Sequence, residues 1–181
     1  MLRSILFNMM ASCLKTKSLT LLRTASMDVK IMEISDGQTR EQIAALSGEI
    51  IVSRGRVHRL QSLPGYVVMH EQELAGCILY YMANSECEIV SLDSQVENRG
   101  IGTKLIQAVI ECAKQENCRR IWLITSNDNI RAIRFYQKRG FDMAAVHRNA
   151  ITEARIIKPT IPLLGYDDIP VKHEVEFELL L

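Results

Sequence analysis

The sequence predicts an α/β fold in which a mixed, mostly antiparallel β-sheet is flanked by helices. Two apolar runs, Tyr66–His70 and Ala75–Met82, are joined by a short polar connection, which is typical of a β-hairpin. Later in the chain a strand, an amphipathic helix and another strand follow one another, and parallel neighbours in a sheet need such a crossover. The 181 residues suit one domain with a sizeable core.

The first part of the chain is predicted to contain a strand and a helix ahead of this hairpin. Val29–Ile34 has the apolar pattern of a short strand. Thr39–Val52 is predicted to be helical because Ile43, Leu46 and Ile50 recur at helical spacing. A Pro-Gly pair then marks a turn before the hairpin.

The second half is predicted to alternate strands and helices. The predicted elements are strands at Glu88–Asp93, Ile121–Ile124 and Phe141–His147 and helices at Thr103–Gln115 and Asn129–Arg139. The continuous apolar run at Ile121–Ile124 is typical of a central strand buried on both faces, and Gly140 fits the position after a helix C-terminus. Glu174–Leu181 alternates acidic with apolar residues and predicts a half-exposed antiparallel strand.

Composition and charge exclude several classes of protein. The net charge of +1 gives no reason to expect a nucleic-acid partner. The five cysteines are odd in number and form no C-x-x-C pair, which favours free thiols in a reducing cytoplasm over disulfides or a zinc site. The four histidines lack metal-ligand spacing, and no apolar stretch approaches the roughly 18 residues of a membrane span. We therefore expect a cytoplasmic protein without a metal or a membrane partner.

Residues 1–26 differ from residues 27–181, which form the predicted domain. The first 26 residues contain four basic residues, no acidic residue and several Ser and Thr. This composition resembles a transit peptide. The alternative, which we favour, is an upstream extension with Met27 as the natural start, because the periodic pattern begins only at Val29.

A glycine-containing turn precedes the first helix of the second half. Gly100 and Gly102 are separated by one residue, and glycines allow a tight turn and a close approach of a ligand to the backbone. The first amides of a helix have no partner within the helix and attract anions such as phosphate. Alone, the pattern is equally compatible with an ordinary tight turn.

A second motif occupies the helix predicted at Asn129–Arg139. Asn129 and Tyr136 are separated by two helical turns and so share a face, with the small Ala132 on a nearby part of the surface. Gly140 and Phe141 follow directly. Alone, this motif is equally compatible with a core helix in which Tyr136 simply packs.

Together the two motifs resemble the GCN5-related N-acetyltransferase (GNAT) superfamily. The order of elements matches from about Met27 to the C-terminus, and the specific part is Glu88–Phe141. Both glycines of the family's acetyl-CoA loop match, whereas Glu97 stands where the family has Arg or Gln. A carboxylate near a pyrophosphate is unfavourable unless it points into solvent or pairs with a cation. The Asn, Ala, Tyr and Gly-Phe positions of the family's later helix all match.

This resemblance implies the acyl-CoA N-acyltransferase fold and direct transfer of an acetyl group from acetyl-CoA to a primary amine. The implied roles are backbone contacts of Val90 and Leu92 to the pantetheine arm and acetyl group, a contact of Asn129 to the arm, and Tyr136 as general acid. The backbone amides implied to hold the pyrophosphate are those of Asn98, Arg99, Gly100, Ile101, Gly102 and Thr103.

The general base is less determined. Glu88 and Asp93 bracket the pantetheine strand and lie on opposite faces if that strand is regular, so at most one of them faces a given cleft. Solvated strand-end charges or a relay through water are the alternatives.

The acceptor is an unidentified amine on a small molecule or a peptide, and the protein is expected to be a monomer or homodimer. The Pro-rich segment 158–170 predicts a loop at one wall of the acceptor site. In it, Asp167 and Asp168 suit either a cationic amine or a solvated turn. A basic cluster at residues 54–59 suits either an acidic acceptor or a solvated surface.

Two other functions remain open from the sequence. One is a non-catalytic acyl-CoA-binding or regulatory module on the same fold, although such a module needs no acid at the sulfur. The other is a dinucleotide-binding unit, which is disfavoured because Leu105 stands where its glycine fingerprint requires a third glycine.

Overall fold

The computed structural model describes residues 30–70, 73–95 and 99–181. The expectations for residues 1–26, Glu97 and Asn98 lie outside these ranges. The strands are β1 (Ile31–Glu33), β2 (Ile50–Ser53), β3 (Arg56–Arg59), β4 (Gly65–His70), β5 (Glu73–Ala83), β6 (Glu86–Ser94), β7 (Arg120–Ser126), β8 (Asp142–His147) and β9 (Glu174–Leu180). The helices are α1 (Gly37–Ser47), α2 (Ile101–Gln115), α3 (Ile130–Gln137) and α4 (Ala150–Ile157).

Seven strands form the central sheet, in the order β1-β4-β5-β6-β7-β9-β8. Every pair is antiparallel except β6 and β7, which are joined by α2 and run parallel. The predicted mixed, mostly antiparallel sheet flanked by helices is therefore confirmed.

The main core lies between the sheet and α2. Leu105 and Val109 of α2 are fully buried against Ile121 and Phe177 of the sheet. Two further members of this core, Cys87 and Cys118, are buried free thiols, and they pack as small apolar side chains.

The opposite face of the sheet is covered by α1 and by two elements that the sequence did not predict, the β2–β3 hairpin and α4. The predicted helix at Thr39–Val52 ends early, at Ser47, because Gly48 adopts a positive φ of 81°. The following Ile50–Ser53 forms β2, which pairs with β3 in a separate hairpin. Its β-branched residues favour a strand over the last turn of a helix.

The turn of this hairpin contains two residues with positive φ, Arg54 at 47° and Gly55 at 73°. This arrangement is typical of a type I′ turn, whose twist suits a two-residue hairpin connection. On the same side, Ile151 and Ala154 of α4 pack with Val52 of the hairpin in a small apolar cluster.

The prediction that β9 has an exposed acidic face was wrong. Glu174 and Glu176 retain only 3% and 4% of their exposure. The strand itself and its antiparallel pairing are as expected, but the turn of the β2–β3 hairpin lies against these carboxylates. In the described ranges, no helix combines the length and apolarity needed to cross a membrane.

Candidate active site

The two parallel strands separate at the middle of the sheet. Pairing between β6 and β7 extends only from Glu86–Ile89 on one strand to Arg120–Leu123 on the other. Beyond it, the edge of β6 from Val90 onward has no ladder partner on β7, although the antiparallel pairing with β5 continues to Ser94. An unpaired strand edge can accept an extended ligand through backbone hydrogen bonds, and Leu92 lies on this edge.

The N-terminus of α2 follows β6 directly. Gly100 is its N-cap and is left-handed, with φ 74° and ψ 4°, a conformation that glycine adopts without steric cost. Gly102 has a different reason to be glycine, because a Cβ there would lie 3.1 Å from the Phe135 ring. The second glycine thus lets α2 approach α3, and the described first turn of α2 contains no acidic residue.

Arg139 connects the start of α2 to α3, and this contact was not predicted from the sequence. Its Nε and Nη2 donate to Thr103 Oγ1 at 3.0 and 2.5 Å, and its Nη1 donates to the Phe135 carbonyl at 2.7 Å. The guanidinium also lies 3.4 Å from the centre of the Phe135 ring. Arg139 stands inside the second sequence motif, but its spacing alone gave no signal of a contact to α2.

The two predicted site residues of α3 differ in their surroundings. Asn129 is the N-cap, and its side-chain Oδ1 accepts from the backbone N–H of Ala132 at 3.0 Å. Tyr136 is buried in an aromatic cluster with Phe135, Phe141 and Phe177. Burial, together with the charge of Asp93, raises the pKa of the Tyr136 hydroxyl, so it keeps its proton at neutral pH.

A β-bulge in β6 overturns the prediction that Glu88 and Asp93 face opposite sides. The register shifts between Leu79 and Tyr80 of β5, so that Tyr80 pairs with Ile89 while Leu79 pairs with Ser91. The extra residue, Val90, reverses the alternation of side chains along β6. Both carboxylates therefore face the side of the sheet that carries the β2–β3 hairpin.

These two carboxylates have different partners. Asp93 Oδ2 accepts hydrogen bonds from Ser47 Oγ at 2.7 Å and from Ser91 Oγ at 3.0 Å. Burial nevertheless raises the pKa of Asp93. Glu88 Oε2 lies 3.2 Å from Nε2 of the buried His58, close enough for an ion pair but without the alignment of a hydrogen bond.

His58 belongs to the basic cluster at residues 54–59, which is not a simple solvated surface. The His58 side chain is buried on β3 and lies edge-on to the Tyr81 ring. Arg54 contacts Glu176, with 3.4 Å between Nη1 and Oε2. The arginines of the cluster are exposed, as the solvated-surface alternative predicts, whereas Arg54 and His58 also lie near the Glu176 and Glu88 carboxylates.

More ion pairs continue along this face. Arg120 contacts Glu86, Glu176 and Glu178 at 3.0, 3.2 and 2.8 Å. His147 Nε2 lies 2.8 Å from Glu176 Oε2.

A cavity of about 50 Å³ lies where β6 and β7 separate. Its walls come from both separated strands, from β2, β9 and α4, and from Ile161 in the predicted acceptor loop. Gly165 and Tyr166 anchor this loop at Asp128: a Cβ at Gly165 would overlap the Asp128 carboxylate, which accepts from the Tyr166 N–H at 3.0 Å. Asp167 and Asp168 of the same loop are exposed, as expected for a solvated turn.

Comparison with known proteins identifies a family whose sequence pattern this chain shares. The model of the Acetyltransferase (GNAT) family matches residues 31–141. An uncharacterized Bacillus subtilis protein, YdhI, is 46% identical over 134 residues, which cover 74% of this chain and 83% of that protein.

Solved structures share the fold at low sequence identity. A Bacillus subtilis acetyltransferase in complex with CoA superposes with a TM-score of 0.64 at 19% identity, covering 85% of this chain and 99% of that one. A GNAT family acetyltransferase from Elizabethkingia anophelis with acetyl-CoA bound gives a TM-score of 0.63 at 20% identity, covering 86% and 99%.

Proposed function

Because this chain belongs to the acetyltransferase (GNAT) family, we propose that it transfers an acetyl group from acetyl-CoA to a primary amine without a covalent enzyme intermediate. The observation that carries this proposal is the separation of β6 from β7. An unpaired strand edge and the N-terminus of α2 lie along it, while buried carboxylates lie on the hairpin side of the sheet. Acetyl-CoA can thus bind at the anion-binding start of α2, and the cationic amine can bind at the negatively charged pocket.

The donor is proposed to lie along β6 and across the start of α2. Backbone groups of Val90 and Leu92 would bind the pantetheine arm as an added strand binds. The amides of Gly100, Gly102 and their neighbours from Asn98 to Thr103 would hold the pyrophosphate. The contact of Asn129 to the arm stays a prediction, because its carboxamide oxygen already caps α3.

The chemistry needs a neutral amine, a polarised thioester and a proton for the leaving thiolate. Glu88 lines the cavity and is proposed to take a proton from the reacting ammonium through a relay of water, with Asp93 as the second candidate. The amine nitrogen then bonds to the acetyl carbon while the carbon–sulfur bond breaks. Tyr136 is proposed to give its proton to the departing sulfur, and because burial raises its pKa the hydroxyl carries this proton at neutral pH. The nitrogen loses its second proton to solvent, and solvent returns a proton to the Tyr136 phenolate and takes one from Glu88.

The test is a panel of primary amines incubated with acetyl-CoA, with release of the CoA thiol as the readout. We expect thiol release with at least one amine, together with an acetylated product of matching mass. The competing function is a non-catalytic acyl-CoA-binding module. Acetyl-CoA binding by calorimetry without thiol release on any amine would favour that module and contradict the proposal.

A further inference from the structure

The cavity between β6 and β7 is lined by hydroxyls whose hydrogen bonds are unmade. Ser53 and Ser126 line it on the hairpin side of the sheet and are at most 4% exposed. The Thr125 side chain lies on the other face, with its cross-strand partner Val175. The Oγ atoms of Ser53 and Ser126 find no hydrogen-bond partner within residues 30–70, 73–95 and 99–181. Buried polar groups are rarely left unpaired, since this costs about 1–3 kcal/mol each. The cavity therefore offers hydrogen bonds to a polar group within a lining that is otherwise mostly apolar.

The carboxylates that line the cavity favour a positively charged occupant. Glu88 and Glu174 both line it and are at most 3% exposed. The backbone N–H of Arg54 lies 3.2 Å from Glu174 Oε2, whereas the Arg54 guanidinium contacts Glu176. Burial raises the pKa of Glu174 despite this N–H and the charges of His147 and Arg54, and the charge of Glu88 acts in the same direction as burial. A cation in the cavity would offset both effects.

We propose that this cavity binds an ammonium group of the acceptor, and that the acceptor is a short aliphatic diamine or a longer polyamine with the same spacing. The proposal rests on the proposed acetyl transfer and names the class of its acceptor. An ammonium group carries three N–H donors, which match the Glu174 carboxylate and the Ser53 and Ser126 hydroxyls. A volume of about 50 Å³ accommodates a group of this size.

The distance between the reacting nitrogen of the acceptor and the nitrogen bound in the cavity is set by the length of β6 between the two sites. The cavity is bounded by Val90, and the acetyl carbonyl is proposed to lie at the N–H of Leu92. Two residues of strand span about 7 Å. A chain of about four carbons places a second nitrogen at this distance from the reacting one, so butane-1,4-diamine is the reference acceptor.

The experiment compares butane-1,4-diamine with n-butylamine, which has the same chain but one nitrogen. Thiol release gives kcat/KM for each, and calorimetry gives the binding of each amine to the enzyme with CoA. We expect the diamine to exceed the monoamine by about tenfold or more in both measurements, the scale of one charged hydrogen-bonded contact. Diamines of two and six carbons should fall below the four-carbon one.

Glu174→Gln and Ser126→Ala test the assignment of the cavity. Both variants should reduce the diamine-to-monoamine ratio, Glu174→Gln by about tenfold and Ser126→Ala by less. The matched control is Glu178→Gln, which removes an acid on the same face of β9 that pairs with Arg120 and lies outside the cavity. It should leave the ratio unchanged.

The two proposals fail in different ways. If no amine releases thiol, the proposed transfer fails. The cavity assignment is then tested by calorimetry alone: it stands if the diamine binds more tightly than the monoamine and Glu174→Gln removes this preference, and it fails otherwise. If amines are acetylated with equal kcat/KM for the diamine and the monoamine, or if Glu174→Gln keeps the wild-type ratio, the cavity assignment is overturned and the transfer stands.

Discussion

The proposed donor side and the proposed acceptor side of this protein are built in different ways. On the donor side, the start of α2, the edge of β6 and α3 lie within residues 88–141, and the family match at 31–141 includes them all. The acceptor side draws on the β2–β3 hairpin, α4, the loop at residues 158–170 and β9. Most of these elements lie C-terminal to the family match.

The difference arises because one side is proposed to bind its ligand through backbone groups and the other through side chains. Binding of a phosphate or a pantetheine arm depends on backbone groups, so the donor side needs glycines, a helix start and an unpaired strand edge. Discrimination of an amine depends on side chains, so the acceptor side is a set of carboxylates and hydroxyls carried by separate elements. Variants on the two sides should therefore affect different constants.

The largest effect is expected from Tyr136→Phe, which removes the proposed acid and keeps the ring in its aromatic cluster. General-acid catalysis contributes about 10²-fold or more, so kcat should fall by about that factor. The dissociation constant of acetyl-CoA, measured by calorimetry, should stay within about twofold.

The matched control for this variant is Tyr80→Phe. Tyr80 lies on the α2 side of β5, where its hydroxyl is 3.4 Å from Cys112 Sγ. It should retain the wild-type kcat. Wild-type turnover in Tyr136→Phe would remove Tyr136 from the mechanism and leave the donor side without an assigned acid.

The next effect tests whether the hairpin serves the acceptor alone. Gly55→Val places a β-branched residue at φ 73° in the turn, a strain of about 1–3 kcal/mol. The displaced turn would withdraw the Arg54 N–H from Glu174. We expect KM for the preferred amine to rise by about tenfold, with acetyl-CoA affinity unchanged.

Val57→Thr is the control for the hairpin, because Val57 is 43% exposed on the same strand pair and keeps a β-branched side chain. It should change neither constant. A loss of acetyl-CoA affinity in Gly55→Val, measured well below the temperature at which this variant unfolds, would contradict the division between the two sides.

The sequence predicted the local structure of the proposed donor side far better than that of the proposed acceptor side. Gly100, Tyr136 and the helices that carry them belong to local patterns, so their positions follow from spacing. The side on which Asp93 lies depends on a bulge, and the burial of Glu174 depends on a hairpin turn some 120 residues away. Both result from pairing between distant segments, which periodicity along one strand does not record.

A smaller effect is expected from Arg139→Ala. This variant removes the contacts from Arg139 to Thr103 and to the Phe135 carbonyl, and with them the bridge between the start of α2 and α3. The loss of about 1 kcal/mol of hydrogen bonding corresponds to about a fivefold weaker affinity for acetyl-CoA. Calorimetry with acetyl-CoA measures it, and KM for the amine should not change.

Lys138→Ala is the control, because Lys138 is the neighbouring cation and is exposed. It separates the specific contacts of Arg139 from a general loss of positive charge. Equal weakening in both variants would mean that charge alone, and not the bridge to Thr103, supports the donor side.

The smallest effect concerns stability and pH at Asp93. Burial raises the pKa of Asp93 in the folded protein above its value in the unfolded chain, so between these two pKa values the native state binds more protons. The contribution of this group to the free energy of unfolding therefore falls as pH rises through that window and is constant below it. Asp93→Asn should remove this fall, so the difference in unfolding free energy between variant and wild type grows with pH above about 4.

Urea unfolding from pH 4 to 8 measures this difference. Asp142→Asn is the control, since Asp142 is exposed on β8, and it should not reproduce the trend. A difference between Asp93→Asn and wild type that is independent of pH would mean that the hydrogen bonds from Ser47 and Ser91 fully compensate burial. Asp93 would then be an ordinary ionised carboxylate, and the argument for it as the second candidate base would rest on its position alone.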